Sequence, residues 1–110
     1  MLTVIQTGRG NYWIKLLGEP ERSADRITLT LVLERDDGIE RVAFRCSIMK
    51  NLVPSASAED PSTLLPGIAQ WLTREFEQVR EAALKRLRTE HQLLEVSIEP
   101  SALGSYRARS

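Results

Sequence analysis

The sequence has little of the residues that most catalytic and metal sites use, with one cysteine and one histidine among 110 residues. A single cysteine forms no internal disulfide, which predicts a protein of a reducing compartment, the cytoplasm. Zinc sites need several cysteine or histidine ligands, and a nucleophilic cysteine or serine needs a base placed beside it. We therefore expect no metal, no cofactor and no enzymatic activity.

The sequence also lacks an excess of charge of either sign, because 15 basic residues balance 15 acidic ones. Nucleic-acid binders usually carry a basic surplus, since phosphate contacts supply much of their affinity, so nucleic acid is a disfavoured partner. No apolar run approaches the ~20 residues that a membrane-spanning helix needs. The first residues, MLTVIQTGRG, carry no secretory signal. We expect a soluble protein that does not enter the membrane.

Two alternating segments around Asp37-Gly38 give the clearest structural signal in the chain. Every second residue is apolar in both segments: Ile27, Leu29, Leu31 and Leu33 before the turn, and Val42, Phe44, Cys46 and Ile48 after it. A period of two puts alternate side chains on one face of a strand. Asp-Gly tolerates the positive φ of hairpin turns. The pattern predicts a β-hairpin with one buried face, on which Cys46 is a buried thiol.

Weaker alternation predicts three further strands. Residues 2–7 and 11–17 form a hairpin around Gly8-Arg9-Gly10, which is a turn and not a phosphate-binding loop, because no helix follows it. Residues 94–98 form a last strand. The polar segment 18–25 is predicted to be a surface loop.

Helical periodicity begins after the second hairpin. Apolar residues recur at intervals of three and four and occupy about 100° of arc, namely Ile68, Leu72, Phe76, Val79, Ala83 and Leu87. Asp60 before Pro61 is a typical N-cap with a first-turn proline, which favours a start near Ser62 and an irregularity at Pro66. The alternative is a regular helix that begins at Pro66. His91 is expected at the exposed end of the helix.

Together these elements, in the order β-β-β-β-α-β, predict an α+β fold. We expect a mostly antiparallel sheet of about five strands with one long amphipathic helix packed on one face. Residues 1–100 make a single domain, and residues 101–110 a flexible C-terminal tail. The strand that neighbours the last one stays open. A pairing that brings Arg41 and Arg45 beside Glu95 and Glu99 would match opposite charges.

Four large side chains suggest an interaction surface, because exposed apolar and aromatic residues anchor interfaces: Trp13, Leu17, Val32 and Trp71. Trp71 has a second interpretation, in which it folds over the edge of the core. We expect a non-enzymatic interaction module that binds itself as a homodimer, or another protein, through the open sheet face or an edge strand.

A basic cluster near the end of the helix suggests an alternative function. Lys85, Arg86 and Arg88, joined by Arg107 and Arg109 of the tail, are candidates for contact with nucleic acid. Positive charge also complements the carbonyl groups at a helix C-terminus, which explains the cluster without a ligand. A nucleic-acid-binding accessory protein is therefore the second hypothesis.

Overall fold

The computed structural model describes residues 3–50 and 60–98. Within these residues the chain forms six strands and one long helix: β1 (Thr3–Thr7), β2 (Gly10–Leu16), β3 (Glu21–Arg22), β4 (Arg26–Arg35), β5 (Arg41–Met49), α1 (Leu65–Glu90) and β6 (Leu94–Ser97). The predicted α+β fold is confirmed, with six strands where about five were expected. The connection at 51–59 and the predicted tail lie outside the described residues.

The strands form one sheet in the order β1-β2-β4-β5-β6, and β3 pairs with β4. All pairs are antiparallel except β5 with β6, which is parallel. A parallel pair needs a long crossover connection, and α1 lies within it. The neighbour of the last strand, which the sequence left open, is therefore β5.

The buried side of the sheet and the helix share one core. The apolar alternations of β2, β4 and β5 point to this side, and Leu29, Phe44 and Cys46 are fully buried there. Five of the six predicted stripe residues of α1 are buried with them, so the buried face of the helix is largely as expected. The prediction was wrong for Leu87, which is 48% exposed. Leu87 lies in the last turns of the helix, where all residues from Lys85 to Glu90 are exposed.

The β4–β5 hairpin closes through a four-residue turn. The backbone N–H of Arg35 donates to the carbonyl of Glu40 at 3.0 Å, and the Gly38 N–H donates to the Arg35 carbonyl at 2.8 Å. Gly38 has a φ of 75°, as the Asp-Gly pair predicted. The Asp37 carboxylate accepts the Ile39 N–H at 2.9 Å and also binds Nε of Arg35 at 2.9 Å. Each residue around the turn is thereby held by a hydrogen bond.

The favoured start of the helix near Ser62 was wrong, because α1 begins at Leu65, next to Pro66, which agrees with the alternative start. Its cap also differs from the prediction. A 3₁₀ turn over Pro61–Leu64 runs directly into α1. The Asp60 carboxylate makes no capping bond to a backbone N–H, because it accepts the Ser62 hydroxyl at 2.7 Å instead. The Asp60 backbone carbonyl accepts the Thr63 N–H at 3.0 Å and closes the first turn.

The segment 18–25 was predicted to be a loop and contains the short strand β3. Its two residues are exposed and polar, so no apolar alternation marks them, and their backbone pairs with Ile27 and Thr28. The suggested placement of basic β5 residues beside acidic β6 residues is confirmed in part, because Arg45 stands opposite Glu95 in register. The ion pair of Arg45 is made elsewhere, since its Nη2 binds Oε1 of Glu21 at 2.6 Å. Glu99 lies outside the described residues.

Candidate interaction surface

An apolar patch lies on the face of the sheet that points away from α1. Trp13 of β2 stands opposite Val4 of β1, and Val32 of β4 stands opposite Ala43 of β5. Trp13 pairs with Glu34 and Val32 with Lys15, so Trp13 and Val32 are diagonal neighbours, within reach of an aromatic side chain. We call Val4, Trp13, Val32 and Ala43 the open-face patch. It crosses four neighbouring strands.

Paired charges border the open-face patch. Lys15 Nζ lies 2.8 Å from Oε1 of Glu34, and Arg41 Nε lies 3.5 Å from Oε2 of the same carboxylate. The hydrogen bond from Lys15 is the largest cause that lowers the pKa of Glu34, and the charge of Arg41 adds to it. Both basic side chains remain largely exposed, at 52% for Lys15 and 70% for Arg41. The border therefore offers charges of both signs to a partner.

A depression of about 370 Å³ adjoins the patch at the end of the β4–β5 hairpin. Its lining consists of Trp13, Lys15, Glu34, Arg35, Asp36 and Gly38. The indole of Trp13 gives it an aromatic wall, and the turn residues give it a polar rim. We call it the Trp13 depression.

The structure brings together two of the four residues that the sequence proposed for this surface. Trp13 and Val32 both belong to the open-face patch. Leu17 is 57% exposed and continues the β2 ladder by donating its N–H to the Thr30 carbonyl at 2.8 Å. It lies four residues from Trp13, about 13 Å along the strand. Trp71 is partly buried on the helix and packs against the core, which agrees with its second interpretation.

Three residues of this region escaped the sequence analysis. Val4 and Ala43 join the patch only through the strand register, which the periodicity of single strands does not reveal. Ile39 is 79% exposed in the hairpin turn. An isoleucine in an otherwise polar turn is the signal that marks it in the sequence.

The basic cluster lies at the exposed end of α1, where Lys85, Arg86 and Arg88 all face solvent. Arg86 is already engaged, because its Nε lies 3.1 Å from Oε1 of Glu90 and its Nη2 donates to Gln92 at 3.3 Å. The tail arginines of the second hypothesis lie outside the described residues. The described part of this cluster is thus partly neutralised.

A polar cluster joins the helix to the hairpin end of the sheet. Arg80 donates to both oxygens of Glu40, with Nη2 2.6 Å from Oε2, and the Tyr12 hydroxyl donates to the same carboxylate. The hydrogen bond from Arg80 is the main cause that lowers the pKa of Glu40 to about 2. Burial, then the bond to Glu40, raises the pKa of Tyr12. A carboxylate with so low a pKa is a poor general base at neutral pH.

The single cysteine and the single histidine occupy different environments. Burial raises the pKa of the Cys46 thiol to about 12, so it stays protonated at neutral pH. His91 caps the helix with a φ of 56° and is exposed. Over residues 3–50 and 60–98, no three histidine, cysteine or acidic side chains are grouped to hold a metal ion. In the same residues no helix has the length and apolar character needed to cross a membrane.

Comparison with known proteins gives no family model, no curated protein and no solved structure that matches this chain. The case for a function therefore rests on the open-face patch, the Trp13 depression and the turn beside it.

Proposed function

We propose that this protein is a non-enzymatic interaction module that binds a second copy of itself through the open-face patch. The supporting observation is that Trp13 and Val32 are diagonal neighbours on the sheet face that points away from α1, where both side chains are only partly buried. The exposed face of an antiparallel sheet is ordinarily polar. Aromatic residues, tryptophan above all, are the commonest anchors of protein interfaces.

A second copy suits this surface because its border carries charges of both signs. In a two-fold symmetric dimer the same surface faces itself, so a surface of one sign would oppose like charges. On the border, the carboxylate of Glu34 lies between Lys15 and Arg41 and offsets part of their positive charge. The whole chain has a formal net charge of zero, so no long-range repulsion opposes the approach of two copies.

The face is large enough for a dimer that uses most of it. Five neighbouring strands spaced about 4.8 Å apart put the axes of the two edge strands about 19 Å apart. The ten residues of β4 extend over about 33 Å, whereas β1 has five residues and β6 has four. A standard interface buries about 800 Å² on each partner, so the contact would extend over most of this face. The single thiol is buried, so self-association in a reducing cytoplasm needs no disulfide.

The test is the change Trp13→Glu, followed by size-exclusion chromatography with light scattering. We expect a dimer for the unchanged protein and a monomer for the variant, because the new carboxylate is desolvated at the centre of the interface. Gln78→Glu is the matched control, since it adds the same group at an exposed position of α1 and leaves the dimer intact. Far-UV circular dichroism verifies that both variants are folded.

Two results would contradict the proposal. One is an unchanged protein that stays monomeric at several hundred micromolar, which excludes a functional homodimer. The other is a Trp13→Glu variant that dimerises as well as the Gln78→Glu control, which removes the open-face patch from the interface.

A further inference from the structure

Ile39, in the turn of the β4–β5 hairpin, is an apolar residue whose side chain is almost fully exposed. It is 79% exposed, the highest value among the exposed large apolar residues of the described chain. Its backbone is fixed, because its N–H binds the Asp37 carboxylate at 2.9 Å and that carboxylate is held by Nε of Arg35 at 2.9 Å. A side chain on a preorganised turn loses little conformational entropy on binding.

The Trp13 depression lies next to Ile39 in the same molecule. The Trp13 depression has a volume of about 370 Å³ and is lined by Gly38, the residue that precedes Ile39. Ile39 does not fill this depression in its own chain, as its exposure demonstrates. The hairpin end therefore carries a protruding apolar side chain beside a hollow with an aromatic wall.

We infer that Ile39 of each copy inserts into the Trp13 depression of the other copy, so that two reciprocal contacts hold the dimer together. This inference depends on the proposed self-association and specifies its geometry. A two-fold axis that brings one Ile39 to the partner's depression brings the partner's Ile39 to the first depression as well. Because the protruding Ile39 and the Trp13 depression lie side by side, this region of one copy is complementary in shape to the same region of a second copy.

Charges on the rim of the depression support the same occupant. Asp36 belongs to this rim and is exposed, and its backbone N–H donates to the Asn11 carbonyl at 2.9 Å. Lys15, also on the rim, is 52% exposed and bonded to the carboxylate of Glu34. When Ile39 enters the partner's depression, Asp36 three residues earlier comes towards the partner's rim. Opposite charges there favour a second copy of this chain over a purely apolar ligand.

The first test compares Ile39→Asp with Leu87→Asp, which changes another exposed apolar residue far along α1. Dimer dissociation constants are measured by analytical ultracentrifugation over a dilution series. Full burial of an isoleucine strengthens binding roughly tenfold or more, and two contacts are lost in the Ile39→Asp dimer. We expect dissociation to be easier by at least about 100-fold for Ile39→Asp and by less than threefold for Leu87→Asp.

The second test uses the reciprocity of the two contacts. Each homodimer of Ile39→Asp or of Trp13→Glu has lost both contacts. A heterodimer of the two variants keeps one, since the Trp13→Glu chain still has Ile39 and the Ile39→Asp chain still has its depression. Random pairing of equal amounts gives twice as much heterodimer as either homodimer, so the test is an excess well above twofold. With one variant carrying a fluorescent label, we expect the heterodimer to dissociate at least about tenfold less readily than either homodimer, because it keeps one buried isoleucine.

The outcomes separate this inference from the proposed function. If Trp13→Glu is monomeric while Ile39→Asp dimerises like the Leu87→Asp control, the open-face patch mediates self-association and the inserted Ile39 is wrong. If the mixed variants form no more heterodimer than the twofold statistical excess, the reciprocal geometry is overturned. If the unchanged protein is a monomer, both proposals are wrong.

Discussion

The ion pair between Glu40 and Arg80 gives the sharpest prediction for stability. Glu40 follows the β4–β5 turn, and its carboxylate binds both Arg80 of α1 and the Tyr12 hydroxyl. Only 19% of the Glu40 side chain and 16% of the Arg80 side chain are exposed. We predict that Glu40→Gln, which keeps the shape and removes the charge, destabilises the protein and changes how its stability depends on pH.

The magnitude follows from the pKa of Glu40, which is lowered from 4.5 to about 2 chiefly by the hydrogen bond from Arg80. A pKa change of this size corresponds to about 3 kcal/mol of folding free energy. The remaining exposure and the hydrogen bonds that glutamine retains reduce the loss, so we expect Glu40→Gln to cost about 2 to 3 kcal/mol at pH 7.

The sign of the pH effect is fixed by the lowered pKa. The unfolded chain binds a proton at Glu40 below about pH 4.5, whereas the folded chain resists protonation until about pH 2. The stabilisation from this pair is therefore complete above pH 4.5 and is lost as the pH falls from 4.5 towards 2. The difference in stability between the unchanged protein and Glu40→Gln should shrink over that window.

Urea unfolding from pH 7 to pH 2.5, at one fixed protein concentration, measures this difference. Glu77→Gln is the matched control, because Glu77 also pairs with an arginine of another element, at 2.9 Å, but its side chain is 56% exposed. Solvent screens such a pair, so we expect little change from that substitution. Equal losses for the two variants, or a Glu40→Gln loss that is the same at pH 3 and pH 7, would refute the assignment of Glu40 as a strongly stabilised carboxylate.

Two further predictions concern the residues with chemical or nucleic-acid potential. Burial raises the pKa of Cys46 to about 12, so the native protein should not react with a thiol reagent such as DTNB. In denaturant, one equivalent of the reagent should be consumed. A rapid reaction of the native protein would mean that the thiol is accessible. A fluorescently labelled oligonucleotide should show no saturable anisotropy change with the unchanged protein in 50 mM salt. Binding that weakens with salt and disappears on replacing Lys85, Arg86 and Arg88 with alanine would favour the nucleic-acid hypothesis instead.

The sequence predicted the parts of the fold that depend on local periodicity. The alternation around Asp37-Gly38 specified which side chains of β4 and β5 are buried, because a one-residue shift would have exposed all of them. The helical stripe likewise identified the buried residues of α1 from Ile68 to Ala83. It did not identify the exposed end of the helix at Leu87, since periodicity says nothing about where the sheet beneath a helix stops.

Features that depend on backbone pairing between distant segments could not be predicted. The strand β3 has two exposed residues and no apolar pattern, so only its pairing with β4 defines it. The parallel pairing of β6 follows from the path of α1 across the sheet. The bond from Arg45 to Glu21 exists because β3 lies beside β4, and it could not be expected from a segment taken for a loop.

The candidate surface was predictable where it depends on strand alternation and not where it depends on strand register or on the turn. Alternation alone put Trp13 and Val32 on the outer face, and the register then made them neighbours. Trp71 was ambiguous because a residue at the margin of a helical stripe can cover the core or leave it. Ile39 belongs to no periodic segment, so its exposure depends on the four-residue turn that the Asp-Gly pair alone did not specify.

The stabilising ion pair and the proposed contact share one end of the molecule, and this suggests how the free chain keeps Ile39 exposed. Glu40, directly after Ile39, is tied to Arg80 on the helix side of the sheet. On the other side of Ile39 in sequence, Asp37 is tied to Arg35. A turn held at both ends cannot easily fold its isoleucine back onto its own chain. The bonds around the turn therefore keep the isoleucine exposed in the monomer, and the favourable free energy of burying it is gained only when a second copy binds.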